Sequence, residues 1–149
     1  MNKPLKGRRL ARWHAFHIIF QYPFMNMNAE GLAEAKAGYY DGLDCVRPAG
    51  VDAYYIDKVT VGVLDKIHDI DGVIEQFLRG WELERLNKVD LALLRLAIYE
   101  IINLDDVPTK VAVNEAVEIA KEFGDDDSPK FINGLLGSIA KYLEKELSS

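Results

Sequence analysis

Arg8, Arg9 and Arg12 fall within four residues of one another in KGRRLARWHAFHIIFQ (6–21), a stretch whose apolar positions recur at helical spacing. Residues three and four apart share a helix face, so the guanidinium groups gather at the start of one helix. The backbone dipole disfavours cations at that end, by about 0.3–1 kcal/mol each. The same end presents N–H groups with no partner inside the helix, an arrangement suited to phosphate. A bound anion offsets the misplacement, and arginine also stacks on unpaired bases. Polyanion binding is therefore the chemistry these residues suit. Trp13 and His14 are candidate flat surfaces beside them, although packing is the simpler account of both rings.

The net charge of -6 conceals this feature. Of 18 lysines and arginines, five (Lys3, Lys6, Arg8, Arg9 and Arg12) precede the first acid, Glu30, and the rest are outnumbered by 24 acids. A basic arm on an acidic body points to a polyanion site at one end of the chain. A merely solvated terminus has the same composition, so charge alone leaves both readings open.

Other chemistry finds little support. His14 and His17 have a spacing that suits a metal, but no third ligand accompanies them and His17 falls on the apolar stripe. The sequence GLLG (134–137) matches the clamp loop of one RNA-binding module only superficially, because it falls inside a well-capped helical segment where glycines favour close packing. The acids Asp105, Asp106 and Asp125 to Asp127 flank helices, where capping and solvation explain them. No phosphate-binding or dinucleotide-binding loop is present. The expectation is a protein that is not an enzyme and uses no cofactor or metal. Cys45 is the single cysteine, which excludes an internal disulfide and fits a reducing compartment; packing is its simplest role. The basic start runs into Trp13, His14 and Phe16, not a long apolar segment with a cleavage site. No stretch approaches a membrane span, so a soluble, unexported, cytoplasmic protein is expected.

The elements that position these residues are helical throughout. The spacing predicts a first helix from about Arg8 to Gln21, with Leu10, Trp13, His17 and Phe20 on one stripe and Ala11, Ala15 and Ile18 beside it, ended by Pro23. Asn28 caps a second helix that reaches Tyr39 or Tyr40, before a loop over 41–50. A third runs from about Asp52 to His68, with Asp52 as its cap and Tyr55, Val59, Val63 and Ile67 at helical spacing, and a short fourth spans Gly72 to Leu78 before Gly80. Asn87 caps a fifth helix (87–102), apolar over more than half its circumference and so central to the core. The sixth covers Thr109 to Phe123 and stops at Gly124, read as a C-prime glycine. In the last segment (125–147) Ser128 caps, Pro129 takes the first helical position, and Phe131, Leu135, Ile139 and Leu143 face the core. The result is an all-α compact bundle of about seven helices. No linker divides it, so 1–149 is expected to form one domain with residues 1–7 as a flexible basic arm.

Three downstream blocks, VDLALLRLAIYEI (89–101), VPTKVAVNEAVEIAKEFG (107–124) and DSPKFINGLLGSIA (127–140), occur in that order behind RRLAR (8–12). Together they resemble the NusB family of bacterial transcription antitermination factors, closely in the C-terminal half and at the first helix, and loosely between about 22 and 80. The resemblance implies two three-helix subbundles that share a core. It implies a heterodimer with NusE, a small-subunit ribosomal protein, that binds the boxA element of nascent RNA. The pair would help the RNA polymerase elongation complex, with other Nus factors, read through terminators in ribosomal RNA operons.

By position, the resemblance assigns Arg8, Arg9 and Arg12 to RNA, with Lys3 and Lys6 as electrostatic support. It places Asp127, Lys130 and Phe131 in a second region near RNA, where Lys130 would meet phosphate, Phe131 would mainly pack, and Asp127 would cap or tune binding. Asp90 falls at an acidic position of the partner and RNA surface, although its place in a first helical turn also accounts for it structurally, and Phe20 and Thr109 fall at partner-contact positions. Phe20 and Thr109 stand where tyrosine is common in the family, and Pro129 where histidine is. A pure protein-interaction bundle, self-associating through a buried arginine face, is the rival reading. A fused methyltransferase is set aside, since 149 residues leave no room for a cofactor-binding domain.

Overall fold

The computed structural model describes residues 5–44 and 46–147. Lys3 and Cys45 lie outside the described residues. These hold seven α-helices and two single turns of 3-10 helix, with no strand among them. The helices are α1 (Gly7–Phe20), α2 (Ala29–Asp41), α3 (Gly50–Asp65), α4 (Ile67–Phe77), α5 (Lys88–Asn103), α6 (Thr109–Phe123) and α7 (Ser128–Leu147). The chain divides between Asp65 and Lys66 into two compact units.

In the first unit, α1 packs mainly on α3. The apolar residues of α1 with almost no exposure are Ala11, Ala15, Phe16, Ile18 and Ile19. The expected stripe of Leu10, Trp13, His17 and Phe20 is only half-buried. The face turned to the core is therefore the one that carries Ala11, Ala15, Phe16, Ile18 and Ile19, rotated from the expected stripe. The hydroxyl of Tyr22, in the 3-10 turn Tyr22–Phe24, donates to the carbonyl of Thr60, tying the exit of α1 to α3. Asn28 caps α2 as expected, its Oδ1 accepting from the Gly31 N–H at 2.8 Å.

Asp52 falls in the first turn of α3, not ahead of it. The third and fourth predicted helices also divide differently. The helical run breaks at Lys66, and Ile67, Ile70 and Ile74 form the buried stripe of α4. Gly72 lies exposed within that helix instead of starting it.

In the second unit, α5 is the central helix and packs on α4, α6 and α7. Every residue from Asp90 to Glu100 is buried, as its nearly all-round apolar surface requires. Asn87 caps it, accepting from the Val89 N–H at 2.8 Å. Arg95 interrupts the apolar run and is neutralised by a two-pronged pair with Asp71 of α4, both N–O distances 2.9 Å. That fork geometry satisfies a guanidinium removed from water.

The corner between α6 and α7 differs from expectation in two ways. Gly124 has φ -80°, an ordinary extended conformation. Its lack of a side chain matters because a Cβ there would lie 2.4 Å from Cβ of Ser128. The capping side chain is Asp125: its Oδ1 accepts from the N–H groups of Asp127 and Ser128, each at 3.0 Å. The Ser128 hydroxyl accepts in return from the Asp125 N–H at 3.1 Å, completing a reciprocal box. On α7 the deep residues are Ile132, Leu136, Ile139, Ala140 and Leu143. Phe131 and Leu135 are only half-buried. Open space surrounds Gly134 and Gly137, so close packing does not explain these glycines.

Candidate nucleic-acid interface

The start of α1 has the basic, acid-free first turn that the sequence indicates. Lys6 occupies the cap position without a capping side-chain bond, and the first turn contains no acid. Its N–H groups therefore keep their partial positive charge beside Arg8 and Arg9. Lys6, Arg8 and Arg9 are exposed, whereas Arg12 is buried. What separates the arginines is Tyr55 of α3, itself buried. The Arg8 guanidinium lies over its ring at 4.4 Å from the centroid, and that of Arg12 at 6.0 Å. Cation–π contact on one ring holds the two side chains near each other despite like charge. Tyr55 was legible only as a core position, and its ordering of the arginines needed the fold.

Trp13, His14 and His17 form a packed aromatic cluster, in agreement with the simpler reading of these rings. His17 lies 4.1 Å from the Trp13 ring centroid, edge on, and stacks at 17° on Tyr39 of α2. The His14 Nδ1 and the Tyr39 hydroxyl are 2.6 Å apart. Burial lowers the pKa of both histidines, that of His17 to about 4, with the neighbouring His14 adding to the effect. Among the described residues no cluster of histidine, cysteine and acid is placed to hold a metal ion. Nor is any helix there long and apolar enough to cross a membrane. Phe20 is half-buried between Phe16 and Phe24.

The second unit gathers most of the remaining candidates. Asp90, Asp127 and Phe131 line one cleft of about 600 Å³, together with Phe77, Trp81 and Asp125. Asp127, Lys130 and Phe131 line a second cleft of about 730 Å³ that shares Phe77, Asp127, Phe131 and Leu135 with the first and adds Arg79. Thr109, the first residue of α6, lines neither cleft. Asp90 is only 6% exposed. Burial raises its pKa, a hydrogen bond from Ser128 opposes the rise, and the charge of Asp125 adds to it.

Trp81 and Arg79 escaped sequence reasoning. Trp81 is 66% exposed, directly after Gly80, which has φ +93°. Arg79 also lies in the left-handed region, at φ +49°, where a non-glycine residue is strained. A tryptophan beside a glycine in a helix-breaking segment was the available signal.

An all-helical protein with a basic, uncapped helix start in one unit and an aromatic, partly acidic cleft in the other is the class that fold and site define. Residues 9–141 match the NusB family, and the chain belongs to it. It is 41% identical over 135 residues to the transcription antitermination protein NusB of Clostridium novyi, which covers 91% of this chain and 98% of that one. Among solved structures it resembles T. maritima NusB, with a TM-score of 0.79 and 35% identity over 95% of this chain and 93% of that one. It also resembles a chain in the crystal structure of antitermination factors NusB and NusE in complex with double-stranded RNA. That match has a TM-score of 0.77 and 25% identity, covering 91% and 96% of the two chains.

Proposed function

We propose that this chain is a transcription antitermination factor that binds boxA-type single-stranded RNA together with NusE and promotes read-through by the RNA polymerase elongation complex in ribosomal RNA operons. The observation that carries the RNA assignment is the uncapped, acid-free first turn of α1 with Arg8 and Arg9 exposed on it. Family membership over residues 9–141 supplies the biological setting. Arg8 and Arg9, supported by Lys3 and Lys6, meet phosphate, while buried Arg12 acts mainly by ordering Tyr55 and through it Arg8. Lys130, exposed on the first turn of α7, meets phosphate in the second region. Asp90, Phe20 and Thr109 contribute to the partner surface.

The test is RNA affinity as a function of salt. A boxA-like single strand is expected to bind with a log–log salt slope of about -2 to -3, the value for three or four neutralised phosphates. Replacing Arg8 and Arg9 by alanine is expected to flatten that slope and weaken binding. Adding NusE is expected to tighten it. Affinity that ignores both salt and the two substitutions overturns the RNA assignment. A free chain that elutes as a dimer with its arginine face covered would favour the protein-interaction reading instead.

A further inference from the structure

Helices α2 and α3 border an apolar groove of about 320 Å³ that lies wholly within the first unit. Buried Leu32, half-buried Leu64, and Met27 and Val61, each 43% exposed, line it. On α2 the lining residues Ala29 and Ala33 are exposed and carry only methyl groups, which leaves room for a side chain from outside. Two charged residues line the groove, Lys36 and Asp65. Lys36 is paired with Asp57. Asp65 makes no ion pair among the described residues, with Lys66 or with any other cation. It ends α3, whose last turn contains no base, and a helix C-terminus adds partial negative charge of its own. The groove thus joins an apolar surface to a position that favours a cation. The other exposed charges nearby on these helices are mixed: Glu30 and Glu34 adjoin Ala29 and Ala33 in sequence, and Lys58 precedes Val61 by one turn.

We infer that this groove binds an amphipathic helix of another protein, a large apolar side chain seated against Met27, Leu32 and Val61 and an arginine or lysine of the same helix facing Asp65. A helix presents residues three or four positions apart on one face, the spacing this pairing needs. An extended strand finds no edge to pair with, because the backbone groups of α2 and α3 are bonded within their own helices. RNA is disfavoured: Lys36, the lining cation, is engaged by Asp57, and the other lining charge is negative. A second copy of this chain fits less well in a closed two-fold dimer. Antiparallel pairing of two α3 helices sets the exposed Tyr54 opposite Val61 of the other copy only by bringing Lys58 beside its own copy, like against like. Moving the axis to Val61 sets Lys58 opposite Asp65, but then offers the groove only the short side chain of Val61. The inference is independent of the RNA reading, since Arg8 and Arg9 do not line this groove.

The probe is a fluorescein-labelled, alanine-based helical peptide carrying two leucines four residues apart and an arginine one turn beyond. It is added to the full, isotope-labelled chain and followed by anisotropy and by amide chemical shifts, which are expected to change mainly over residues 27–36 and 61–65. Exchanging the peptide's arginine for glutamate is expected to weaken binding about three- to fivefold, and Asp65→Lys to reverse that order. Replacing both leucines by alanine is expected to weaken it about tenfold or more. Ala33→Leu, at an exposed helical position, is expected to fill the groove and abolish binding with the circular dichroism unchanged. Indifference to arginine against glutamate, shifts that fall elsewhere, or none at millimolar peptide overturn the docking site and leave the RNA reading standing. A chain that sediments as a dimer, dissociated by Ala33→Leu, overturns it in favour of a second copy. Groove residues shifted by a boxA-like RNA and not by the peptide overturn it in favour of nucleic acid.

Discussion

Tyr55 shows how far a single buried ring alters the meaning of three arginines. In the sequence Arg8, Arg9 and Arg12 are equivalent positive charges, but Arg12 is 3% exposed and Arg8 covers the same ring from outside. At this scale the informative carboxylate is Asp90. Its pKa lies above the ordinary value because it is buried, with Asp125 adding repulsion. The folded protein therefore holds that proton more tightly than the unfolded chain. The stability this supplies is full below the unfolded pKa and is lost as pH rises through the folded one. Asp90→Asn, which carries no charge to bury, is accordingly expected to raise the urea midpoint at pH 7. A midpoint that falls would show that the carboxylate stabilises the fold.

Two elements depend on groups whose importance only local geometry reveals. On α1, His17 is held neutral to about pH 4, against an ordinary value of 6.5. Here the sign reverses: the stability is complete above 6.5 and is lost as pH falls toward 4, because the unfolded chain takes up the proton first. His17→Phe is expected to flatten the acid limb of the urea-midpoint profile across that interval. At the corner between α6 and α7, Gly124→Ala would put a methyl 2.4 Å from Cβ of Ser128 and 2.8 Å from the Ala120 carbonyl oxygen. The corner must open and break the Asp125–Ser128 box, at a cost of about 1–3 kcal/mol. Urea denaturation measures it, and a neutral substitution would show that the corner yields freely.

Helices α2 and α5 were largely legible from sequence because capping and periodicity are local. Asn28 and Asn87 cap where expected, and α5 is buried where its composition is apolar all round. The break at Lys66 was not legible, because Ile67 continues the spacing of Tyr55, Val59 and Val63 and no proline or glycine marks the change. The cap of α7 was misplaced by three residues for a similar reason. Asp125 and Ser128 are both good caps, and geometry assigned the N–H groups to Asp125.

For the whole molecule, one residue, Lys66, separates α3 from α4, and two compact units flank it. If residues 1–149 act as a single domain, they unfold in one transition. The two tryptophans allow this to be measured, since Trp13 belongs to the first unit and Trp81 to the second. Trp13→Phe and Trp81→Phe leave one reporter each, and their urea transitions are expected to coincide. Separate midpoints would establish two domains.

By itself the sequence determined the all-helical architecture, most helix bounds, the basic first turn and the family, because these follow from spacing, caps and long blocks of residues in order. Only the tertiary structure decided which arginines are exposed, which acid buries a carboxylate oxygen that has no hydrogen-bond partner, and that Phe77, Trp81 and Phe131 line one cleft with Asp90. Those properties arise from residues far apart in the chain, such as Arg8 with Tyr55 or Trp81 with Phe131, and burial and hydrogen-bond satisfaction depend on what the fold brings beside them.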